Sequence, residues 1–516
     1  MTRAPDPAML VDQAQRLLGS LAGGAMSVTA YDTAWLARVT APGGAPAFPE
    51  AMAWLLGHQH ADGSWGARIP VAQDRLLATL AAVVALREAG SGGERALAAG
   101  VAYLDRALRG DVAGEPRAET RAETRAETRA EIEVVAFELL APALLESARR
   151  LELALPYDRL TELSRLRSER IGALPPGAIY ARPNPFLHSL EFLGDALVPE
   201  LARPRQAANG SFGASPSATA FVAMREWNER AVGYLREVVR VSGGGACNVY
   251  PFEVFETAWV LHGVGAMRGH GLALDATVAA LAAMWRADGV SFTSQGMVTD
   301  CDDTALALKV LRQHGCAVDP GVLCPFEGRD YFHCFAGEKN LSISTNVHVA
   351  DALRECPEFE HRGRMLRKVG GFLRDTRSDG RFWRDKWHIS PYYVTGDAVL
   401  ACAGVDGLDR ELAEPAVGWL LETQLASGGW SEVDRDGTCE ETAYALRALA
   451  CHAPTRRASR EAIRRATDYL MQRIADTDYP ELWIGKGLYA PRAVVRAAVL
   501  GALFSSCQPE VRDAEP

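Results

Sequence analysis

Apolar residues recur three and four positions apart along most of this 516-residue chain, in stretches such as LLATLAAVVALREAG, EVVAFELLAPALLESARRL, ATVAALAAMWRADG, AVGWLLETQLASGG and AIRRATDYLMQRI. Glycine or proline interrupts them. That period marks helices with a buried stripe, and runs of alternating polarity long enough for a sheet are scarce. The chain is therefore predicted to be all-α. Many short helices joined by glycine-containing turns suit a toroid of helices better than a long bundle. A length of 516 residues, 48% of them hydrophobic, exceeds one ordinary core and implies two or three domains.

Two segments echo each other: HQHADGSWG (His58 to Gly66) and QLASGGWSE (Gln424 to Glu432). NGSFGASPSATAF (Asn209 to Phe221) is a looser copy with Phe212 in place of tryptophan. Each is expected to end one helix with glycine and to pin the next through a packed ring. Their recurrence in both halves suggests two related helical barrels. Arg117 to Glu131 is different, repeating RAET so that arginine stacks on arginine and glutamate on glutamate at i,i+4. That spacing opposes the usual helical ion pairs and reads as a solvated insertion.

A formal net charge of −10, from 55 basic and 65 acidic side chains, disfavours a nucleic-acid surface but leaves room for a local basic pocket. The ten cysteines include no CxxC pair and no metal-ligand spacing, so they read as reduced, mostly buried thiols. The amino terminus lacks the basic start and apolar core of a signal peptide, and no stretch approaches about 18 uninterrupted apolar residues. A cytoplasmic protein is expected.

Chemistry concentrates in MVTDCDDTALALKVL, where Asp300, Asp302 and Asp303 stand at the entry to a helical stretch. Like charges this close cannot all ionise cheaply once partly buried, so at least one carboxyl should stay protonated near neutral pH and act as a proton donor. The same cluster also fits a solvated helix start, with Asp300 or Asp303 as the cap. Spacing alone leaves both readings open.

Several segments, taken in order, resemble the class II diterpene cyclases of the copalyl diphosphate synthase type. They are VTAYDTAWLARV (Val28 to Val39), HADGSWG with QDRLLATLAAVVAL, FLHSLE (Phe186 to Glu191), GSFGASPSATAF, NVYPFEVFE (Asn248 to Glu256), the DxDD run, RDKW (Arg384 to Trp387) and LWIGKGLY (Leu482 to Tyr489). The DDxxD and second metal motifs of class I terpene synthases are absent. The resemblance implies two α/α-barrel domains and no class I α domain: a β domain from residues 1–27 and 261–516 carrying DxDD, and an inserted γ domain from 28–260. The substrate would lie between the barrels. The implied reaction is protonation-initiated bicyclisation of geranylgeranyl diphosphate to ent-copalyl diphosphate, an isomerisation of the intramolecular-lyase kind. Mg²⁺ is the implied cofactor, and a class I diterpene synthase would act on the product. Another class II product, a squalene-hopene-type cyclase and a noncatalytic helical scaffold are the competing readings.

The same resemblance assigns roles to residues. Asp302 would be the general acid, Asp300 and Asp303 would tune and reprotonate it, and Asn346 in ISTNVHVADAL would hydrogen-bond its carboxyl. His188 of LHSLEF and Asn248 of CNVYP match the pair that holds a water as terminal base in ent-copalyl members. Lys386 and Lys486 would grip the diphosphate. Glu133 and Glu138 lie where the family's acidic magnesium motif belongs, but they also read as helix-surface residues, and no metal ligand is assigned. Thr257 replaces a histidine that the family links to feedback inhibition. Phe192 replaces a glycine and is expected to reshape the wall beside His188.

Overall fold

In the computed structural model, which describes residues 5–21, 26–110, 132–173, 177–405, 407–452 and 457–508, the periodic stretches fold as helices. The strands among the described residues are four two-residue pieces: β1 (Val28–Thr29), β2 (Ala246–Cys247), β3 (Trp483–Ile484) and β4 (Leu488–Tyr489). The RAET repeat lies outside the described residues.

Packing sorts the helices into two closed rings. The first joins α2 (Ala30–Ala37), α3 (Ala72–Ala89), α4 (Phe137–Arg150), the 3₁₀ segment Pro185–Ala196 and α5 (Pro216–Arg225), which returns to α2. The second joins α6 (Glu253–Gly263), α7 (Cys301–Gln313), α8 (Ile343–Arg354), α9 (Pro391–Cys402), α10 (Cys439–His452) and α11 (Arg492–Ser505), which returns to α6. The opening helix α1 (Pro7–Gly19) packs on α11, so the second ring draws on both ends of the chain. The whole of α6 belongs to the second ring. A boundary at 260/261 would cut this helix, and the change of ring falls before Glu253.

Sequence pattern separates inner from outer helices. α3 is buried without a break from Leu77 to Leu86, as a helix must be when it faces a core on one side and outer helices on the other. The outer helix Arg457–Gln472 buries a single stripe containing Ser459, Ala462, Ile463, Ala466, Tyr469 and Leu470. No described helix is long and apolar enough to cross a membrane.

The recurring tryptophans fasten the rings. Trp65 Nε1–H donates to Leu55 O and Trp430 Nε1–H to Leu420 O, both at 2.8 Å, and each backbone N–H donates to a threonine hydroxyl, Thr79 or Thr442, at 3.0 Å. Trp383 repeats the pattern with Leu373 O at 2.8 Å and Thr395 at 3.1 Å, a copy not apparent in the sequence. Phe212 has no indole donor and keeps only the backbone bond, to Thr219 Oγ1 at 2.9 Å. All three indoles are fully buried, so each bond satisfies a donor that would otherwise be stranded in the core.

Candidate active site between the rings

The β3–β4 hairpin joins the two rings. Its Ile484 N–H donates to Trp387 O at 2.9 Å, while Leu488 N–H donates to the first-ring carboxylate Asp74 at 2.9 Å and Val135 N–H to Gly485 O at 2.7 Å. At Gly485 a Cβ would stand 2.3 Å from Asn248 Oδ1, so only glycine allows this approach. Beside the hairpin lies a cavity of about 150 Å³. Asp300, Asp302 and Asp303 reach it from the second ring, and His188 and Asn248 from the first. Between them the wall is largely aromatic, including Phe252, Phe255, Phe292, Trp387, Trp483 and Tyr489. Phe255 stacks on Phe252 at 4.3 Å and on Trp259 at 3.9 Å.

On the second-ring wall, both readings of the aspartate cluster hold at once. Asp300 is the N-cap of α7, its Oδ1 accepting Asp303 N–H at 2.8 Å. All three carboxyls are also buried. Asp300 Oδ2 and Asp303 Oδ1 have no hydrogen-bond partner among the described residues. Burial, followed by the neighbouring carboxyls, pushes the pKa of Asp303 well above the usual carboxylate range. Asp300 moves the same way, through burial and then Asp302, although the Asp303 N–H bond opposes it.

Asp302 differs from its neighbours in having a cationic partner. Its Oδ1 accepts His348 Nδ1–H at 2.9 Å, and on the other face of the ring His348 Nε2 lies 3.8 Å from Asp397 Oδ2. Burial alone would lower the imidazole pKa, but Asp302 and Asp397 outweigh it and carry it to about 10. With Asp302 and Asp397 ionised, His348 is therefore held as the imidazolium at neutral pH.

The hydrogen bond expected of Asn346 is thus made by His348. Two residues along a helix turn the side chain through about 200°, and Asn346 faces away: its Nδ2 donates to Phe332 O and Ser342 O at 2.9 Å, and its Oδ1 accepts Phe332 N–H at 2.9 Å. Asp385 of RDKW accepts the N–H groups of Ile343 and Ser344 at 2.7 and 3.1 Å, fixing the start of the helix that carries His348.

On the first-ring wall, His188 Nδ1–H donates to Gly213 O at 2.9 Å, which leaves Nε2 as the lone-pair nitrogen. Burial and the Lys486 ammonium hold its pKa at about 3, against hydrogen bonds to Gly213 and Asn248 that favour the charged form. Asn248 is anchored in turn, donating from Nδ2 to Asp32 Oδ2 at 3.1 Å.

Lys486 is no anion-binding residue here. It is fully buried at the hairpin tip, and its ammonium donates to His188 O at 2.8 Å, Glu191 Oε1 at 2.9 Å, Ser215 Oγ at 2.7 Å and Ser217 Oγ. These acceptors occupy all three of its donors. Its function in the structure is to hold the His188 backbone and a second-ring hairpin onto the first ring.

Lys386 remains partly exposed, 2.5 Å from Glu338 Oε1 and 4.7 Å from the ring centroid of the cavity-wall residue Trp387. Glu138 pairs with Arg170. Among the described residues no three His, Cys, Asp or Glu side chains converge to hold a metal ion. Phe192 is buried in the core against Phe186, with ring centroids 5.9 Å apart, and is not a cavity-lining residue. Thr257 is buried in α6.

Sequence reasoning missed His348 and Asp397. The available signal was a polar pair, His348 and Asp351, three residues apart in an otherwise apolar helical stretch. Such residues need buried partners.

No family model matches the chain. The type B diterpene cyclase of Mycobacterium tuberculosis (strain ATCC 25618 / H37Rv) is 35% identical over 504 residues, covering 93% of this chain and 96% of its own. An ent-copalyl diphosphate synthase from Streptomyces sp. (strain KO-3988) is 33% identical over 514 residues, covering 94% and 93%. The solved structure of ent-copalyl diphosphate synthase from Streptomyces platensis aligns with a TM-score of 0.78 at 30% identity, covering 98% of this chain and 100% of that one.

Proposed function

Since the chain belongs to the class II diterpene cyclases, terpene cyclases of the isomerase type, we propose that it converts geranylgeranyl diphosphate to ent-copalyl diphosphate with the diphosphate retained. The observation that carries this reading is one cavity shared by two differently charged pairs, Asp302–His348 and His188–Asn248. An unactivated alkene is a poor base, so its proton donor must be a strong acid. Asp302 qualifies because the imidazolium on its Oδ1 stabilises the carboxylate left after transfer, and Oδ2 remains to carry the proton. Raised pKa values at Asp303 and Asp300 keep the cluster from accumulating three charges and supply protons for the next cycle.

Addition of the Asp302 proton to the terminal alkene leaves a tertiary cation. Attack by the internal alkenes closes two rings and moves the charge along the aromatic wall, whose ring faces stabilise it. The cascade ends when a water held by His188 and Asn248 takes a proton from carbon and forms the exocyclic alkene. An imidazole with a pKa of about 3 is a weak base, but a carbocation is so strong an acid that a weak base suffices. Low basicity also keeps His188 from storing the proton between turnovers.

Lys386 is proposed to grip the diphosphate at the Trp387 side, exchanging its contact with Glu338 for phosphate oxygens. Mg²⁺ enters only as the counter-ion that accompanies the diphosphate, and no step runs through it. A class I diterpene synthase would consume the product. Incubation with geranylgeranyl diphosphate and Mg²⁺, then phosphatase and chiral chromatography, should yield ent-copalol. Unreacted geranylgeraniol alone would refute the cyclase reading, and a hydroxylated or rearranged bicycle would refute the product.

A further inference from the structure

Behind Asp302, away from the cavity, a cluster of buried charged side chains fills the space among five inner helices of the second ring. His348 of α8 meets Asp302 of α7 at 2.9 Å and Asp397 of α9 at 3.8 Å. Asp397 also lies 3.5 Å from Arg447 of α10 and 3.7 Å from His262 of α6. Lys309 of α7 stands 2.9 Å from His262 Nδ1 and pairs with Asp351 of α8. Trp259 and Tyr393 also approach the His348 ring in T-shaped geometry, with centroids 5.4 and 6.5 Å away. Asp397 does not line the cavity.

We propose that Asp397 is a positioning residue of the proton donor, keeping His348 cationic and so setting the acidity of Asp302; this rests on the cyclase reading above. Asp302 alone cannot fill that role through the cycle, because its own charge changes whenever it gives up or regains the proton. A second carboxylate of constant charge on the far side of the ring holds the imidazolium in both states. Asp397 has that constancy. Burial would raise its pKa, but His262, His348 and Arg447 together hold it well below the usual carboxylate range. The cluster is consequently a fixed-charge cage rather than a proton wire, since a group so reluctant to accept a proton cannot pass one on. Selectivity within the cage follows from contact geometry. His262, beside Arg447 and Lys309, is held near a pKa of about 3 by burial and those cations, whereas His348, flanked by two carboxylates, goes to about 10.

The test compares wild type with Asp397→Asn and Asp397→Glu. NMR of the His348 ring nitrogens reads its charge directly, and kcat and KM for geranylgeranyl diphosphate are followed from about pH 6 to about pH 9. In Asp397→Asn the ring should lose its proton at least about one pH unit earlier than in wild type. The ratio of variant to wild-type kcat at about pH 9 should then be at most about half its value at about pH 6, with KM unchanged. Asp397→Glu should restore both. A ratio constant across pH, or an unshifted ring titration, overturns the proposal, because a merely structural carboxylate would depress kcat evenly. If Asp397→Asn does not fold, wild type still decides: a His348 ring neutral at pH 7 refutes the cage, and a doubly protonated ring with restored profiles in Asp397→Glu supports it. The ring titration requires no turnover, so absence of any cyclised product counts against the reaction reading alone.

Discussion

His348 is buried behind Asp302 and His188 is half-buried on the wall of the same cavity, yet the fold makes one cationic and leaves the other neutral. Burial pushes both imidazoles toward the neutral form. At His348 two carboxylates reverse that push, and at His188 the buried Lys486 ammonium reinforces it. Neither state could be inferred from residue type, because the sign of the neighbouring charge decides it. The outcome is a second-ring wall able to make a strong acid and a first-ring wall able to take a proton without holding it. A reaction that begins by adding a proton to carbon and ends by removing one requires both.

The hardest blow to this asymmetry falls on the acid. Asp302→Asn should lower turnover by about 10³-fold or more, to the limit of detection, while calorimetry still registers the diphosphate substrate. Turnover within tenfold of wild type would move the donor role to Asp303. The next largest effect is on stability. Lys486→Met leaves Glu191 and two serines without their shared donor, and Glu191 Oε2 already has no partner among the described residues. A loss of about 3–5 kcal/mol in denaturant unfolding is expected, the cost of removing one partner from a buried ion pair. Little change would mean that the hairpin is held to the first ring by its backbone bonds alone.

How far these residues were legible in the sequence differs between the two walls. The all-helical fold follows from apolar period alone, and the ring-fastening role of Trp65 and Trp430 from two similar turns. Trp383 escaped because its turn, RSDGRFW, lacks the glutamine that marks the other two. The aspartate cluster was legible because three carboxyls in four residues are rare and adjacent. His348 and Asp397 were not, since they come from different helices and acquire meaning only when the ring brings α7, α8 and α9 together. Lys486 misled for the opposite reason. A lysine between glycines looks like an exposed anion ligand, and only the docking of the hairpin on the first ring reveals that its donors are already taken.

Smaller effects test the first-ring wall and the approach to the cavity. His188→Ala should leave substrate consumption within about fivefold of wild type, because the cation forms before this residue acts. The product should shift toward a hydroxylated bicycle as water adds to the cation, resolved by gas chromatography of the dephosphorylated mixture. An unchanged profile would take the base role from His188 and leave the wall asymmetry without a chemical consequence. Lys386→Ala should raise KM roughly tenfold with little change in kcat, the mark of a contact made equally in ground and transition states.

The last prediction separates the histidines without any substrate. His348 has a pKa raised to about 10 in the folded chain, so its charge contributes stability that is fully present below the unfolded value of about 6.5 and is lost as pH rises toward 10. His188, depressed to about 3, behaves in the opposite sense: between about 6.5 and 3 the unfolded chain binds a proton there that the folded chain refuses, so stability falls as pH falls. Each effect amounts to at most about 1.4 kcal/mol per pH unit. Urea midpoints followed against pH should therefore show His348→Gln flattening the alkaline decline and His188→Gln flattening part of the acid one, with neither variant altering the other limb. If both substitutions flatten the same limb, the two imidazoles carry the same charge, and the division of the cavity into an acid wall and a base wall fails with them.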